Sequence, residues 1–404
     1  MKISPSHLFS ERAKGMKASE IRELLKLTEM PDIISFAGGL PSPAAFPTDT
    51  VEKIVSELMA EKGGYVLQYG TTEGVTALRK ALLARLKETQ GFEASMENII
   101  ITAGSQQSLD LIGKIFLDPG DNVIVGAPTY LAATNAFRLF RANVESVPIG
   151  NDGMEMDYLE EKIRQMERHS KSIKFIYVIP TFQNPMGVSM SVEGRKRLLE
   201  IAQEHDLLIL EDDPYGELRY EGEPLPSIKS MDTEGRVVYM GTISKVLAPG
   251  LRVAWVVGEV DIINKMILAK QPTDLCTNTL GQHIAAKYIG EGYIDPHIEK
   301  IRAMYRVKRD LMLKALEEKM PDGVTWTHPE GGMFIWVTLP EGMNARSILE
   351  KAITEKVAYV VGDAFFPDGT GKNTLRLNFT NADNDMIEEG IGRLAAVFRR
   401  EMDN

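Results

Sequence analysis

Between Asn98 and Val257, short apolar runs alternate with longer stretches in which apolar residues recur every three or four positions. A short run rich in β-branched residues suits a strand buried on both faces, whereas the three-to-four spacing lays one apolar stripe along a helix. The pattern predicts strands at Ile99–Thr102, Asn122–Val125, Val144–Pro148, Phe175–Ile179, Leu207–Leu210, Val237–Met240 and Val253–Val257. Helices are predicted between them at Gln106–Phe116, Met156–Glu167 and Ser191–Glu204. Strand–helix–strand alternation of this kind builds a mostly parallel, seven-stranded sheet flanked by helices.

The rhythm changes after this region. A long amphipathic stretch from Ile294 to Lys319 leads into a glycine-punctuated strand pair around Gly331-Gly332-Met333-Phe334-Ile335-Trp336-Val337, which predicts a second, smaller α+β unit. Ahead of the sheet, Pro31–Pro47 is rich in Gly and Pro and reads as an extended, turn-broken arm that runs past the active site. The expected division is an arm over 1–46, a large α/β domain over 47–293 and a small domain over 294–404.

Composition narrows the class. A chain of 404 residues with 44% hydrophobic content is long enough for a large domain plus a smaller one. The formal charge of −11 is spread along the chain, which excludes a phosphate-tracking surface, so nucleic acid is not an expected partner. Cys276 is the only cysteine, which excludes an intramolecular disulfide framework and cysteine-rich metal centres and points to a cytoplasmic setting with no metal. No apolar run approaches the roughly 20 residues needed to span a bilayer, so neither membrane insertion nor export is expected.

Candidate chemistry sits at the ends of the predicted strands, where open α/β sheets place their ligands. The strand Val237–Met240 is followed by Gly241-Thr242-Ile243-Ser244-Lys245-Val246-Leu247-Ala248-Pro249-Gly250-Leu251-Arg252. One lysine among small hydroxyl residues, with an arginine close behind, could hold an aldehyde cofactor as a Schiff base while its neighbours bind a phosphate; alone it could equally be a solvated loop lysine. Leu207–Leu210 ends in Glu211-Asp212-Asp213-Pro214-Tyr215, in which an aspartate could keep a pyridine nitrogen protonated and a phenol three residues on could donate to a ring oxygen. The same acids could instead form a metal-binding or turn-forming loop.

Three further loops support the first reading without proving it. Phe175–Ile179 ends in Pro180-Thr181-Phe182-Gln183-Asn184-Pro185-Met186-Gly187, a turn whose Asn184 can offer an amide to the same ligand. Ile99–Thr102 is followed by Ala103-Gly104-Ser105-Gln106-Gln107, a small-residue helix start suited to an anion, although a plain N-cap looks the same. Tyr130, in Pro128-Thr129-Tyr130, could lie on a planar cofactor or simply pack. Arg376, in the alternating pattern Thr374-Leu375-Arg376-Leu377-Asn378, would need an anion if it faces inward, and a substrate carboxylate is the natural one. Gly369-Thr370-Gly371-Lys372 is not a nucleotide-binding loop, because Phe366 stands where the leading glycine should be.

Over essentially its full length the chain resembles the class I/II pyridoxal-phosphate aminotransferases of fold type I. It is most similar to the subgroup of 2-aminoadipate, kynurenine and archaeal aromatic aminotransferases. The resemblance is carried by Ser35-Phe36-Ala37-Gly38-Gly39-Leu40-Pro41, Leu67-Gln68-Tyr69-Gly70, Ala103-Gly104-Ser105-Gln106-Gln107, Gln183-Asn184-Pro185, Glu211-Asp212-Asp213-Pro214-Tyr215 and the Ser244–Arg252 segment. It departs at Met186, where many relatives have threonine. The resemblance implies pyridoxal 5′-phosphate held by Lys245, with Asp212 on the pyridine nitrogen and Tyr215 with Asn184 on the ring oxygen. It implies further that Ser105, Gln106, Thr242, Ser244 and Arg252 hold the phosphate and that Tyr130 stacks on the ring. Arg376 would clamp the substrate α-carboxylate, with Gly39 beside the substrate. Arg22 matches an arginine that some relatives use for a distal acid, and a solvated helix arginine reads the same. Tyr69 would reach the phosphate of a neighbouring subunit, which implies a homodimer with shared sites. The implied activity is transfer of an amino group from an aromatic, 2-aminoadipate or broader set of amino acids to a 2-oxo acid such as 2-oxoglutarate, with ping-pong kinetics. A C–S lyase or decarboxylase on the same fold is the alternative. A metabolite-sensing regulator is a third reading, one that needs a basic DNA-binding domain ahead of the arm.

Overall fold

Isoleucine and valine fill both faces of the central strands, and that double burial is what holds the sheet between two helical layers. The computed structural model describes residues 5–16 and 32–403. A short strand β1 (Ile34–Ser35) precedes the large sheet, which contains β2 (Ile99–Thr102), β3 (Asn122–Ala127), β4 (Asn143–Gly150), β5 (Gly153–Met154), β6 (Ile173–Val178), β7 (Leu208–Asp213), β8 (Val237–Thr242) and β9 (Ala254–Val257). The strand order is β2-β9-β8-β7-β6-β3-β4-β5. β3, β4, β6, β7 and β8 pair in parallel, while β9 runs antiparallel between β2 and β8. All seven predicted strands form. The two-residue β5 adds an eighth, antiparallel to β4, on a glycine hairpin too short to leave a periodic signal.

Alternation decides which helix each strand meets. Ile124, Ile176, Ile209 and Val237 pack with Leu159 and Ile163 of the helix Met156–Arg168 and with Leu198 and Ile201 of Val192–Glu204. Val123, Val125, Phe175 and Leu210 point the other way, into the main core with Leu109 and Ile112 of the helix Ser105–Phe116 and Phe137 of Leu131–Leu139. Each fully buried Ile, Val, Leu or Phe contributes on the order of 1.5–3 kcal/mol. A polar residue at Ile124 or Val125 would therefore be strongly destabilising.

The second unit is an antiparallel sheet of β10 (Thr325–Trp326), β11 (Phe334–Thr338), β13 (Val360–Val361) and β14 (Thr374–Asn378), in the order β10-β11-β14-β13. The helix Ile294–Lys319 forms over the predicted span and packs against the helix Asn384–Met402. The arm enters this unit: β1 pairs in parallel with β12 (Val357–Ala358), and Phe36 is fully buried against Gly390, where a Cβ would not fit. Beyond Phe36 the carbonyls of Ala37, Gly38 and Leu40 accept from Arg376 and Asn378 of β14, and that of Gly39 accepts from Lys245 after β8. No helix among the described residues is long and apolar enough to cross a membrane.

Candidate active site

Sheet order places the candidate residues side by side. β8, β7, β6 and β3 are neighbours, so the loops at their carboxyl ends present Lys245, Asp212, Asn184 and Tyr130 along one edge. Thr102 of β2 and Thr242 of β8 both pair with Ala254 of β9, which brings the helix start at Ser105 beside Ser244 and Arg252. Arg376 arrives from β14 of the other sheet, where it lies opposite Trp336.

Asp212 and its neighbours show how strand alternation sorts three consecutive acids. Asp212 faces the site and accepts a hydrogen bond from the Tyr177 hydroxyl at Oδ2, 2.7 Å away, while its buried Oδ1 has no partner. Glu211 turns to the opposite face and accepts from the backbone N–H groups of Ile228 and Lys229, both at 2.8 Å. Asp213 accepts from the Tyr239 hydroxyl at 2.9 Å. Burial pushes the Asp212 carboxyl up to about 7, against the opposing effect of the Tyr177 hydrogen bond. Burial likewise pushes Glu211 up to about 7.

A directed relay joins Arg376 to Tyr215. Arg376 Nη1 donates to Asn184 Oδ1 at 2.8 Å, and Asn184 Nδ2 donates to the Tyr215 hydroxyl at 3.3 Å. The Tyr215 oxygen is therefore an acceptor within the protein, and its own proton is left to be given to a ligand. Burial raises the pKa of Tyr215, which keeps that proton in place. Arg376 Nη2 donates to the Ala37 carbonyl at 3.0 Å, and its buried Nε has no partner. The guanidinium lies 4.1 Å from the centre of the Phe334 ring and 5.0 Å from that of Phe365, which hold it flat. Burial lowers its pKa to about 10, so it stays charged at neutral pH.

Lys245 Nζ donates to the Gly39 carbonyl at 2.9 Å, so the arm reaches the lysine. Burial, then the charges of Arg376 and Arg252, lower its pKa to about 8. An amine poised there is partly neutral near physiological pH and can act as a nucleophile or a base.

The other end of the cleft is built from backbone. Gly104 takes φ +85° before the helix Ser105–Phe116, and a Cβ there would collide with the Arg252 guanidinium. Thr242 Oγ1 and Ser244 Oγ lie 2.8 Å apart, and Thr242 Oγ1 also donates to the Val253 carbonyl at 3.1 Å. Arg252 is exposed, in a left-handed conformation at φ +53°, and bonds the Pro249 and Ala103 carbonyls at 3.3 Å each. Helix start, hydroxyls and arginine lie together in a cup-like arrangement that can hold an anion. Gln106 is exposed, with Nε2 3.4 Å from the Ala132 carbonyl. Gln107 pins the cup: its Oε1 accepts from Ala103 N at 2.8 Å and its Nε2 donates to Asp274 at 2.8 Å. The Met186 turn closes without a threonine, because Gln183 Oε1 accepts from Met186 N at 2.9 Å.

Two expected residues stand apart. Tyr69 is 78% exposed, and Arg22 lies outside the described residues. Tyr177 and Gln107 were not assigned from sequence. For Tyr177 the signal was its place as the next-to-last residue of β6, opposite Leu210 and hence on the Asp212 face; a tyrosine inside an apolar strand is too ordinary to single out.

Known proteins share both sequence and architecture. Residues 35–394 match the family model described as aminotransferase class I and II. The chain is 54% identical over 394 residues to an aromatic-amino-acid aminotransferase of Thermococcus litoralis, covering 98% of this chain and 94% of that protein. It is 42% identical to a 2-aminoadipate transaminase of Thermus thermophilus, covering 98% of each. A crystal structure of Pyrococcus horikoshii kynurenine aminotransferase in complex with PMP superimposes with a TM-score of 0.95 at 53% identity, covering 98% of each chain.

Proposed function

This chain belongs to the aminotransferase class I and II family and is a pyridoxal-phosphate-dependent amino-acid aminotransferase of fold type I; on that premise we propose how its residues divide the work, which substrates it takes and how it assembles. The residues fit the cofactor on observations independent of kinship. Asp212 holds out a buried, unpartnered oxygen suited to a ring N–H, and Tyr215 has a hydroxyl proton to give. A glycine-shaped cup with an arginine waits for the phosphate, and a lysine with a depressed pKa lies between the two ends.

In this reading Lys245 holds the cofactor aldehyde, Asp212 meets the ring nitrogen, Tyr215 and Asn184 meet the ring hydroxyl oxygen, and Tyr130 covers the ring. Ser105, Gln106, Thr242, Ser244 and Arg252 receive the phosphate. When bound, pyridoxal phosphate supplies an electron sink for the pair released at the substrate Cα. Arg376 binds the substrate α-carboxylate and so fixes where Cα lies. Gly39 leaves room beside it, since a Cβ there would approach Phe334 at 3.7 Å and Arg376 at 4.0 Å. The Lys245 amine, freed and neutral once the substrate's amino group has taken its place on the aldehyde, would accept the Cα proton at Nζ and hold it for return in the same reaction. The single observation that carries this reading is the continuous Arg376–Asn184–Tyr215 relay, set beside Lys245 and an Asp212 oxygen with no partner.

The donors we propose are aromatic amino acids first, with 2-aminoadipate and other donors accepted, in line with the relatives' names, and the acceptor we propose is 2-oxoglutarate. We propose a homodimer with shared sites. Tyr65, Leu67 and Tyr69 are 67%, 66% and 78% exposed in one short segment, an apolar surface that a second copy would cover. Tyr69 would then complete the partner's phosphate cup.

The test is the half-reaction. The purified holoenzyme is mixed with single amino acids in the absence of any 2-oxo acid, and the 2-oxo acid released is counted against enzyme. One equivalent per site from phenylalanine, tyrosine or 2-aminoadipate, followed by parallel initial-rate lines when 2-oxoglutarate is added, is the expected result. Release of ammonia or carbon dioxide instead would overturn it.

A further inference from the structure

The Asp212 carboxylate has one hydrogen-bond partner among the described residues, the Tyr177 hydroxyl, and no sequence motif pointed to it. We infer that Tyr177 is a positioning residue for the reaction: its hydroxyl fixes the Asp212 carboxylate through Oδ2 and so aims Oδ1 at the ring nitrogen of the cofactor. The inference rests on the assignment of Asp212 proposed above.

The geometry is tightly determined. Tyr177 lies opposite Leu210 in the β6–β7 ladder, which puts its side chain on the same face as Asp212, two residues further along. Tyr177 is fully buried and Asp212 nearly so, and the Tyr177 ring is held edge-on by Phe137 at 5.8 Å. Burial raises the Tyr177 pKa well above that of a free phenol, so the hydroxyl keeps the proton that it donates to Asp212. A carboxylate pinned at Oδ2 cannot swing, and its second oxygen is committed to one direction.

The chemistry of the donor matters as much as its position. A cationic partner would also have held Asp212, but it would have neutralised the carboxylate and weakened its attraction for a protonated ring nitrogen. A neutral phenol orients the carboxylate and favours its ionised form while leaving its negative charge available. The other titratable groups around Asp212 do not replace it. Tyr130 and Tyr215 feel its charge without a hydrogen bond to it, and Asp213 on the same strand raises its pKa. Tyr177 is the one group here that favours the ionised form.

The experiment titrates four apo-enzymes with pyridoxal phosphate: wild type, Tyr177→Phe, Asp212→Asn and the double variant. Phenylalanine keeps the ring and its packing, and an unaltered melting temperature of the apo-protein at about pH 5 checks that the fold is retained. Tyr177→Phe is expected to weaken cofactor binding about tenfold, with a larger loss at about pH 6 than at about pH 8. In the Asp212→Asn background the same change should cost less than about twofold, because the group it acts through is gone. An equal loss in both backgrounds, or a Tyr177→Phe protein that binds like wild type while Asp212→Asn binds weakly, overturns the inference alone. Undiminished binding by Asp212→Asn overturns the assignment of Asp212 and the inference together.

Discussion

The two ends of this cleft, to which we assign different jobs, are built from different materials. At the ring end, Asp212, Asn184, Tyr215 and Arg376 are buried side chains already bonded to one another or to a fixed partner, and their pKa values are displaced by burial wherever they titrate. At the end proposed for the phosphate, the groups are a helix start, the hydroxyls of buried Thr242 and half-buried Ser244, and an exposed arginine. The contrast follows from the chemistry. Moving a proton needs groups whose charge is finely set, which only a low-dielectric environment can do. Holding an anion needs many weak donors and no titration, which backbone N–H groups supply without side-chain entropy.

That contrast can be broken at graded points. Lys245→Ala should remove activity by more than about 10⁴-fold in kcat, read as 2-oxo acid formed in single turnovers; a smaller loss would mean that another base serves the Cα proton. Arg376→Lys should lower kcat/KM by about 10²-fold, mostly through KM for the amino acid, because a point charge cannot reproduce a planar guanidinium held between two rings. Arg252→Gln, at the other end, should weaken cofactor binding by about tenfold and leave kcat near wild type once the cofactor is saturating. If Arg252→Gln lowers kcat as Arg376→Lys lowers kcat/KM, the division of labour is wrong.

The smallest expected effects concern stability and assembly. The folded-state pKa of Asp212 lies near 7 against 3.8 in the unfolded chain, so its protonated form favours folding at low pH and that advantage is lost as pH rises from about 4 through 7. Asp212→Asn should therefore raise the apo-protein melting temperature by several degrees at about pH 8 and by less at about pH 5, even as it damages function. Tyr69→Phe should weaken cofactor binding by only a few-fold. Mixing Lys245→Ala with Tyr69→Ala subunits checks the shared site: if Tyr69 serves the neighbouring subunit, mixed dimers place both lesions in one site and leave the other intact, and activity rises above that of either variant alone.

Sequence legibility followed the same divide. The strands at Ile99–Thr102, Phe175–Ile179 and Val237–Met240 were readable because burial on both faces demands unbroken β-branched runs. The helix Ile294–Lys319 was readable because its stripe is sustained over 26 residues. Two-residue strands such as β5 and β12 carry no period and exist only because a neighbour offers unpaired backbone. Among the functional residues, those at strand ends announced themselves by motif. Tyr177 did not, and neither did Gln107, since each acts through a partner that is distant in sequence or indifferent to side-chain type.

The sequence by itself determined the class of fold and marked the lysine, the acid–tyrosine pair, the asparagine turn and the arginine as candidates, because each is a local pattern of residue types at a fixed spacing. Tertiary structure alone decided which of Glu211, Asp212 and Asp213 faces the site, since that depends on the phase of β7 against its neighbours. It alone joined Arg376 to Asn184 across 192 residues and laid the arm carbonyl of Gly39 on Lys245 across 206. The physical reason is that pKa values and hydrogen-bond direction are set by what a group is buried against, and burial is a property of the packed chain rather than of any segment of it.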